Sequence, residues 1–107
     1  MGSVRMTQIT ALVLRAIAAG YRYGFDVMEA CQLPSGTAYP ALRRLEKAGY
    51  LESRWERAAD AHADGRPRRR IYELTPEGAE ALHEAEQKLA EARRLLGDLP
   101  PAPTGEA

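Results

Sequence analysis

The sequence is poor in the residues on which catalysis, metal binding and secretion usually depend. Its single cysteine, Cys31, excludes an internal disulfide and a thiolate metal cluster. The two histidines, His62 and His83, stand in no metal-ligand spacing and are expected at the surface. No apolar run approaches the ~20 residues of a membrane span. Arg5 followed by Thr7 and Gln8, with no small-residue cleavage site beyond, is unlike a secretory leader. No glycine-rich loop follows a strand pattern, and no serine sits in a nucleophile elbow. These absences point to a cytoplasmic, non-enzymatic chain with no metal, no other cofactor and no membrane partner. Aromatic residues are also few, with one tryptophan and one phenylalanine. Exposed aromatic platforms for stacking RNA bases are therefore not expected.

Net charge is missing only on average. Residues 1–70 carry twelve Lys and Arg against seven Asp and Glu, a net of +5, and residues 71–107 carry three against eight, a net of −5. A basic body with an acidic end suggests that only the first part meets a polyanion. A chain of 107 residues is one domain by size. The first five residues precede a second methionine, Met6, and are set aside.

Periodicity supplies the elements. From Thr7 to Ala19, Ile9, Leu12, Val13, Ala16 and Ile17 follow helical spacing, and Gly20 ends the run. Gly24 to Cys31 repeats the pattern through Phe25, Met28 and Cys31, which places the cysteine in the core, and Pro34 stops it. A third helix carries Ala38, Leu42, Leu45 and Gly49 on one face. Over Tyr50–Arg57 the period changes to two, with Leu51, Ser53 and Trp55 alternating with charge, as in a strand. Trp55 is expected to pack on the core. Arg70–Leu74 is a second strand, and the intervening polar stretch, with its Asp64-Gly65 turn signal, reads as a long mobile loop. Thr75 then caps a last helix with Pro76 in its first position. Leu82, Leu89 and Leu96 recur at seven residues, with Ala85, Ala92 and Leu99 three further on, a seam short for a coiled coil. Residues 100–107 read as a disordered tail.

Three short helices, a hairpin and a long helix make a mainly α fold with a small β-hairpin, the winged helix-turn-helix arrangement. In it the third helix enters the major groove of DNA and the hairpin flanks it. The third helix, about 35–48, suits that task. Ser35 is expected to cap it, leaving backbone N–H groups and the positive dipole end for a phosphate. Gly36, Thr37 and Ala38 are small enough for close approach to a base edge. Pro40, fifth from that cap, costs one hydrogen bond, and none if the helix starts at Thr37. Tyr39 is expected to point outward with its hydroxyl free. Arg43, Arg44 and Lys47 lie opposite Leu42 and Leu45, which fits either a solvated face or a DNA-facing one. A second cluster, Arg66, Arg68, Arg69 and Arg70, tilts the reading toward DNA. Unpaired, these four would repel one another until a duplex backbone relieved them. The wing, 57–70, is then expected on the backbone or in the minor groove.

The run Leu33-Pro34-Ser35-Gly36-Thr37-Ala38-Tyr39-Pro40-Ala41-Leu42-Arg43-Arg44-Leu45-Glu46-Lys47-Ala48-Gly49-Tyr50-Leu51 resembles the recognition-helix signature of PadR-type transcriptional regulators. Tyr23-Gly24-Phe25-Asp26, Gly65-Arg66-Pro67-Arg68-Arg69 and Tyr72-Glu73-Leu74-Thr75-Pro76-Glu77-Gly78 are similar as well, so that the likeness spans about residues 7–96. It is a short form, with a single C-terminal helix. The resemblance implies a homodimeric repressor that binds double-stranded DNA at an inverted repeat, joined through Leu82, Ala85, Leu89, Ala92 and Leu96. It divides the chain into a winged helix-turn-helix DNA-binding unit (7–75), a dimerisation helix (76–99) and the tail. Some relatives release DNA on binding a small molecule; any inducer here is unknown, and no large ligand pocket is expected. The competing reading is a winged-helix protein-interaction module without specific DNA binding.

Overall fold

The computed structural model describes residues 6–103. It contains α1 (Gln8–Ala18), α2 (Gly24–Cys31), α3 (Ser35–Lys47), β1 (Leu51–Trp55), α4 (Ala58–Ala63), β2 (Arg70–Leu74) and α5 (Pro76–Asp98). Thr7 caps α1 in a reciprocal box with Thr10, each side chain taking a hydrogen bond from the other's backbone N–H. α2 ends on Gln32 in the left-handed region, φ 55°, and Pro34 holds the next residues extended. β1 and β2 pair antiparallel in the register Leu51↔Leu74 to Trp55↔Arg70. A bridge between Tyr23 and Ile71 ties the start of α2 to the same sheet.

The core fills from one face of each helix. Val13, Leu14, Ala16 and Ile17 of α1 meet Val27 of α2, Ala41, Leu42 and Leu45 of α3, Leu51, Tyr72 and Leu82. Each fully buried leucine is worth about 1.5–3 kcal/mol in apolar burial, so α3 is held mainly by Leu42 and Leu45. Cys31 is half-buried beside this core, its thiol donating to the Leu12 carbonyl at 3.5 Å. Burial pushes that thiol's pKa up, which keeps it protonated. Thr75 fastens the last helix to the end of α3. Its hydroxyl donates to the Gly49 carbonyl at 2.6 Å and accepts from the Gly78 N–H at 3.0 Å. Gly78 leaves the room this needs, since a Cβ there would collide with the Tyr50 carbonyl.

Several expectations change. In place of an irregular hairpin loop, residues 58–63 form the short helix α4, seated by the buried Ala61. Trp55 does not pack inward; it is 53% exposed, because Leu51, Tyr72 and Leu82 already close the core at the other end of the strand. Leu82 and Ala85 are buried within the chain, where α5 crosses α1, and so are not part of an open seam. α5 stays beside α1 as far as Leu89, which lines clefts with Gln8 and Ala11. Ala92 and Leu96 are exposed, Leu96 82% so. Residues 99–103 form no regular element, and the remainder of the expected tail, 104–107, lies outside the described residues, as do residues 1–5. No helix among the described residues is long and apolar enough to cross a membrane.

Candidate nucleic-acid interface

α3 divides cleanly into two faces. Ala38, Ala41, Leu42 and Leu45 are fully buried, while Ser35, Gly36, Arg43, Arg44 and Lys47 are exposed and Thr37 half so. No ion pair engages Arg43, Arg44 or Lys47 among the described residues. The N-cap is Pro34 and not Ser35, and no side chain caps the helix. The carbonyl of Pro34 accepts from the N–H groups of Thr37 and Ala38 at 2.9 Å each. Ser35 is thus the first helical residue and Pro40 the sixth, and the missing proline N–H costs the Gly36 carbonyl its partner. Ala38, expected near a base edge, faces the core.

Tyr39 also turns inward. Its ring packs on the core and lies over Gly24, so close that a Cβ at that glycine would come within 2.7 Å of Cε1. Glycine at the start of α2 is what admits the ring. Tyr39 is accordingly half-buried, and its ring does not stand clear of the surface as expected from sequence.

The wing differs most from expectation. Its arginines are not left to repel one another, because Glu56, only 4% exposed, gathers them. Arg66 grips the Glu56 carboxylate with both terminal nitrogens, Nη2 to Oε2 at 2.7 Å, and reaches Asp64 at 3.0 Å. Arg69 donates to the same carboxylate from Nη2 and from its backbone N–H, each at 3.3 Å, and stacks over the Tyr23 ring at 3.6 Å. Arg68 Nε donates to the Glu56 carbonyl at 2.8 Å. These donors, Arg66 foremost, hold the Glu56 carboxyl at about 2 against burial that would raise it, so it is ionised throughout the neutral range. They also explain α4, since closing Glu56 on Arg66 folds the intervening residues back into a turn of helix.

Arg70 links the wing to α3. Its Nε donates to Ser53 Oγ at 2.8 Å, Ser53 donates to Glu46 Oε2 at 2.6 Å, and Arg70 Nη2 lies 3.8 Å from the same carboxylate. Of the four wing arginines only Arg68 lacks a carboxylate partner among the described residues. Over Arg70, at 5.2 Å, sits the exposed Trp55 ring. Trp55, Phe25, Tyr23, Tyr39 and Tyr72 wall a shallow cleft of ≈ 290 Å3 between α2 and the hairpin. Sequence reasoning missed Glu56 and this aromatic cluster. Nothing in the sequence distinguishes Glu56 from the neighbouring Glu52, Asp60 and Asp64 as the partner of the arginine run.

The helices, the hairpin and the exposed basic face of α3 define a winged helix-turn-helix protein. Residues 13–84, more than half of the chain, match the transcriptional regulator PadR-like family, and the chain belongs to that family. It is 46% identical over 63 residues to the transcriptional regulator Rv3488 of Mycobacterium tuberculosis, covering 58% of this chain and 53% of the relative. The matched segment thus spans about half of that relative's length. The structure resembles smu.1704 of Streptococcus mutans, with a TM-score of 0.71 and 28% identity, over 83% of this chain and 82% of that one. It shares its fold with a PadR family transcription regulator from Clostridium difficile, with a TM-score of 0.75 and 23% identity, over 85% and 96% of the two chains.

Proposed function

We propose that this PadR-family regulator is a sequence-specific binder of double-stranded DNA that represses transcription from an inverted-repeat operator as a homodimer. The observation that carries the reading is the outer face of α3. Arg43, Arg44 and Lys47 are solvated cations on a helix whose opposite face is anchored by Leu42 and Leu45. Such a helix fits a major groove, where its cations neutralise the flanking phosphates and reach base edges, and backbone N–H groups at the helix start meet phosphate. The hairpin stands beside it and carries Arg68, which has no carboxylate partner among the described residues and is the wing cation we assign to a neighbouring phosphate. The repressor sense and the paired operator are carried over from the family.

The second copy is supported by α5 beyond residue 86. Exposed Leu89, Ala92, Leu96 and Leu99 follow α5 to its end, with Leu89 beside Leu12 of α1, apolar surface that a monomer would leave in water. Two α3 helices held this way would address half-sites about 34 Å apart. In this proposal residues 7–85 are the DNA-binding unit and 86–99 the dimer contact.

The experiment is a fluorescence anisotropy titration at two salt concentrations, using duplexes recovered by binding selection from genomic fragments. Duplex binding that weakens steeply with salt is expected. The internally paired wing arginines keep one other reading alive, a protein-interaction module, and that reading predicts no salt-dependent duplex binding. For the dimer, Leu89→Glu should give monomers in sedimentation; an unchanged dimer mass would refute the interface.

A further inference from the structure

The two most exposed rings among the described residues, Phe25 and Trp55, are 56% and 53% exposed and line the same cleft, although they stand 30 residues apart in sequence. Leaving two such side chains in water forgoes much apolar burial, and exposed aromatics beside a cationic surface commonly mark a contact. The cleft is also prepared. Arg70 stacks under Trp55 and is itself pinned by Ser53 and Glu46, so the indole is backed by a fixed cation and does not hang free. Arg69 lies against Tyr23 on the opposite wall.

The shape narrows the occupant. A small molecule needs a cavity of roughly 300–1,000 Å3 that covers most of its surface. Here ≈ 290 Å3 is bounded by two rings that are themselves more than half exposed, so an extended partner running past the cleft fits better. Its chemistry must suit aromatic faces and guanidinium groups together. A nucleic-acid strand has that composition, apolar sugar edges alternating with phosphates. In an intact duplex the bases are stacked, so a ring approaching from outside meets deoxyribose.

We infer that the cleft between α2 and β1 seats one strand of the duplex backbone, with Phe25 and Trp55 packed on deoxyribose. The inference rests on the duplex-binding reading above and adds a contact that involves no side-chain charge. The rings contribute to affinity without releasing counterions, so their effect does not depend on salt.

Trp55 is the only tryptophan, so emission from the full chain reports this one site. The test adds a selected, fluorescein-labelled duplex and follows two signals, label anisotropy for binding and acrylamide quenching for access to Trp55. Anisotropy should rise while quenching falls several-fold. Phe25→Ala combined with Trp55→Ala should weaken binding on the order of tenfold with an unchanged salt slope, and Trp55→Phe should restore most of the loss. Both positions are exposed, and a circular dichroism melt confirms that the variants fold. Duplex bound with Trp55 as accessible as before would overturn the inference and leave the DNA reading standing. Tighter binding of the separated strands than of the duplex would also overturn it, by assigning the cleft to unstacked bases. Absence of any anisotropy change would remove the DNA reading itself.

Discussion

α3 and the wing are both arginine-rich, yet their charges are used in opposite ways. On α3, Arg43, Arg44 and Lys47 stand in solvent with no carboxylate paired to them among the described residues. In the wing, Arg66, Arg69 and Arg70 are tied to Glu56, Asp64 and Glu46, and Arg68 keeps its terminal nitrogens. A cation already paired with a buried carboxylate makes a weaker phosphate ligand than a free one. The lesson is that counting arginines overstates the wing as an electrostatic surface. Its arginines mainly build the hairpin's shape, and α3 carries the charge.

The comparison can be broken most severely from the inside of α3. Leu42→Ala empties a fully buried site and should cost about 2–5 kcal/mol, enough to abolish folding in a small domain. A chemical denaturation curve checks this, and an unchanged midpoint would show that α3 is not anchored there.

Glu56→Gln is the next largest perturbation and separates shape from charge. Removing a negative charge from a wing that acted by charge alone would tighten duplex binding. A wing shaped by Glu56 should instead bind its selected duplex several-fold more weakly, read by anisotropy. The pH dependence follows from the same group. Its folded pKa of about 2 lies below the ordinary 4.5, so its stabilising contribution is complete above 4.5 and lost as pH falls through that value toward 2. The gap in melting temperature between wild type and Glu56→Gln should stay constant through the neutral range and close on acidification. A gap that widened in acid would reverse the assignment.

A finer contrast lies within the wing. Arg68→Ala should lower the salt slope of duplex binding by about 0.9, the share of one phosphate. Arg66→Ala should leave the slope nearly unchanged while loosening the hairpin, visible as faster amide exchange over residues 56–66. Equal slope changes in the two variants would erase the distinction between them.

What the sequence made legible was what is local. The spacing of Val13, Ala16 and Ile17, and of Ala38, Leu42 and Leu45, gives helix and buried face together, although Ile9 and Leu12 of the same pattern are exposed and the fully buried Leu14 lies outside it; the two-residue period of Leu51 to Trp55 gives a strand. The misreadings involve partners far apart in the chain. Tyr39 turns inward because Gly24, fifteen residues earlier, makes room for it. α4 forms because Glu56 closes on Arg66, and no apolar period in its six residues announces it. Leu82 and Ala85 repeat like a dimer seam, yet α1 covers them first. Trp55 follows the inward alternation of its strand and still ends outside, because the core is finished before the strand is.

The central claim, that α3 and not the wing supplies the charge for duplex binding, is tested most directly by the salt dependence of the Arg43→Ala/Arg44→Ala double variant. Its plot of log affinity against log salt should be shallower than wild type by roughly 2, at about 0.9 per phosphate released, with affinity for the selected duplex strongly reduced. A double variant that keeps the wild-type slope and affinity would contradict the account.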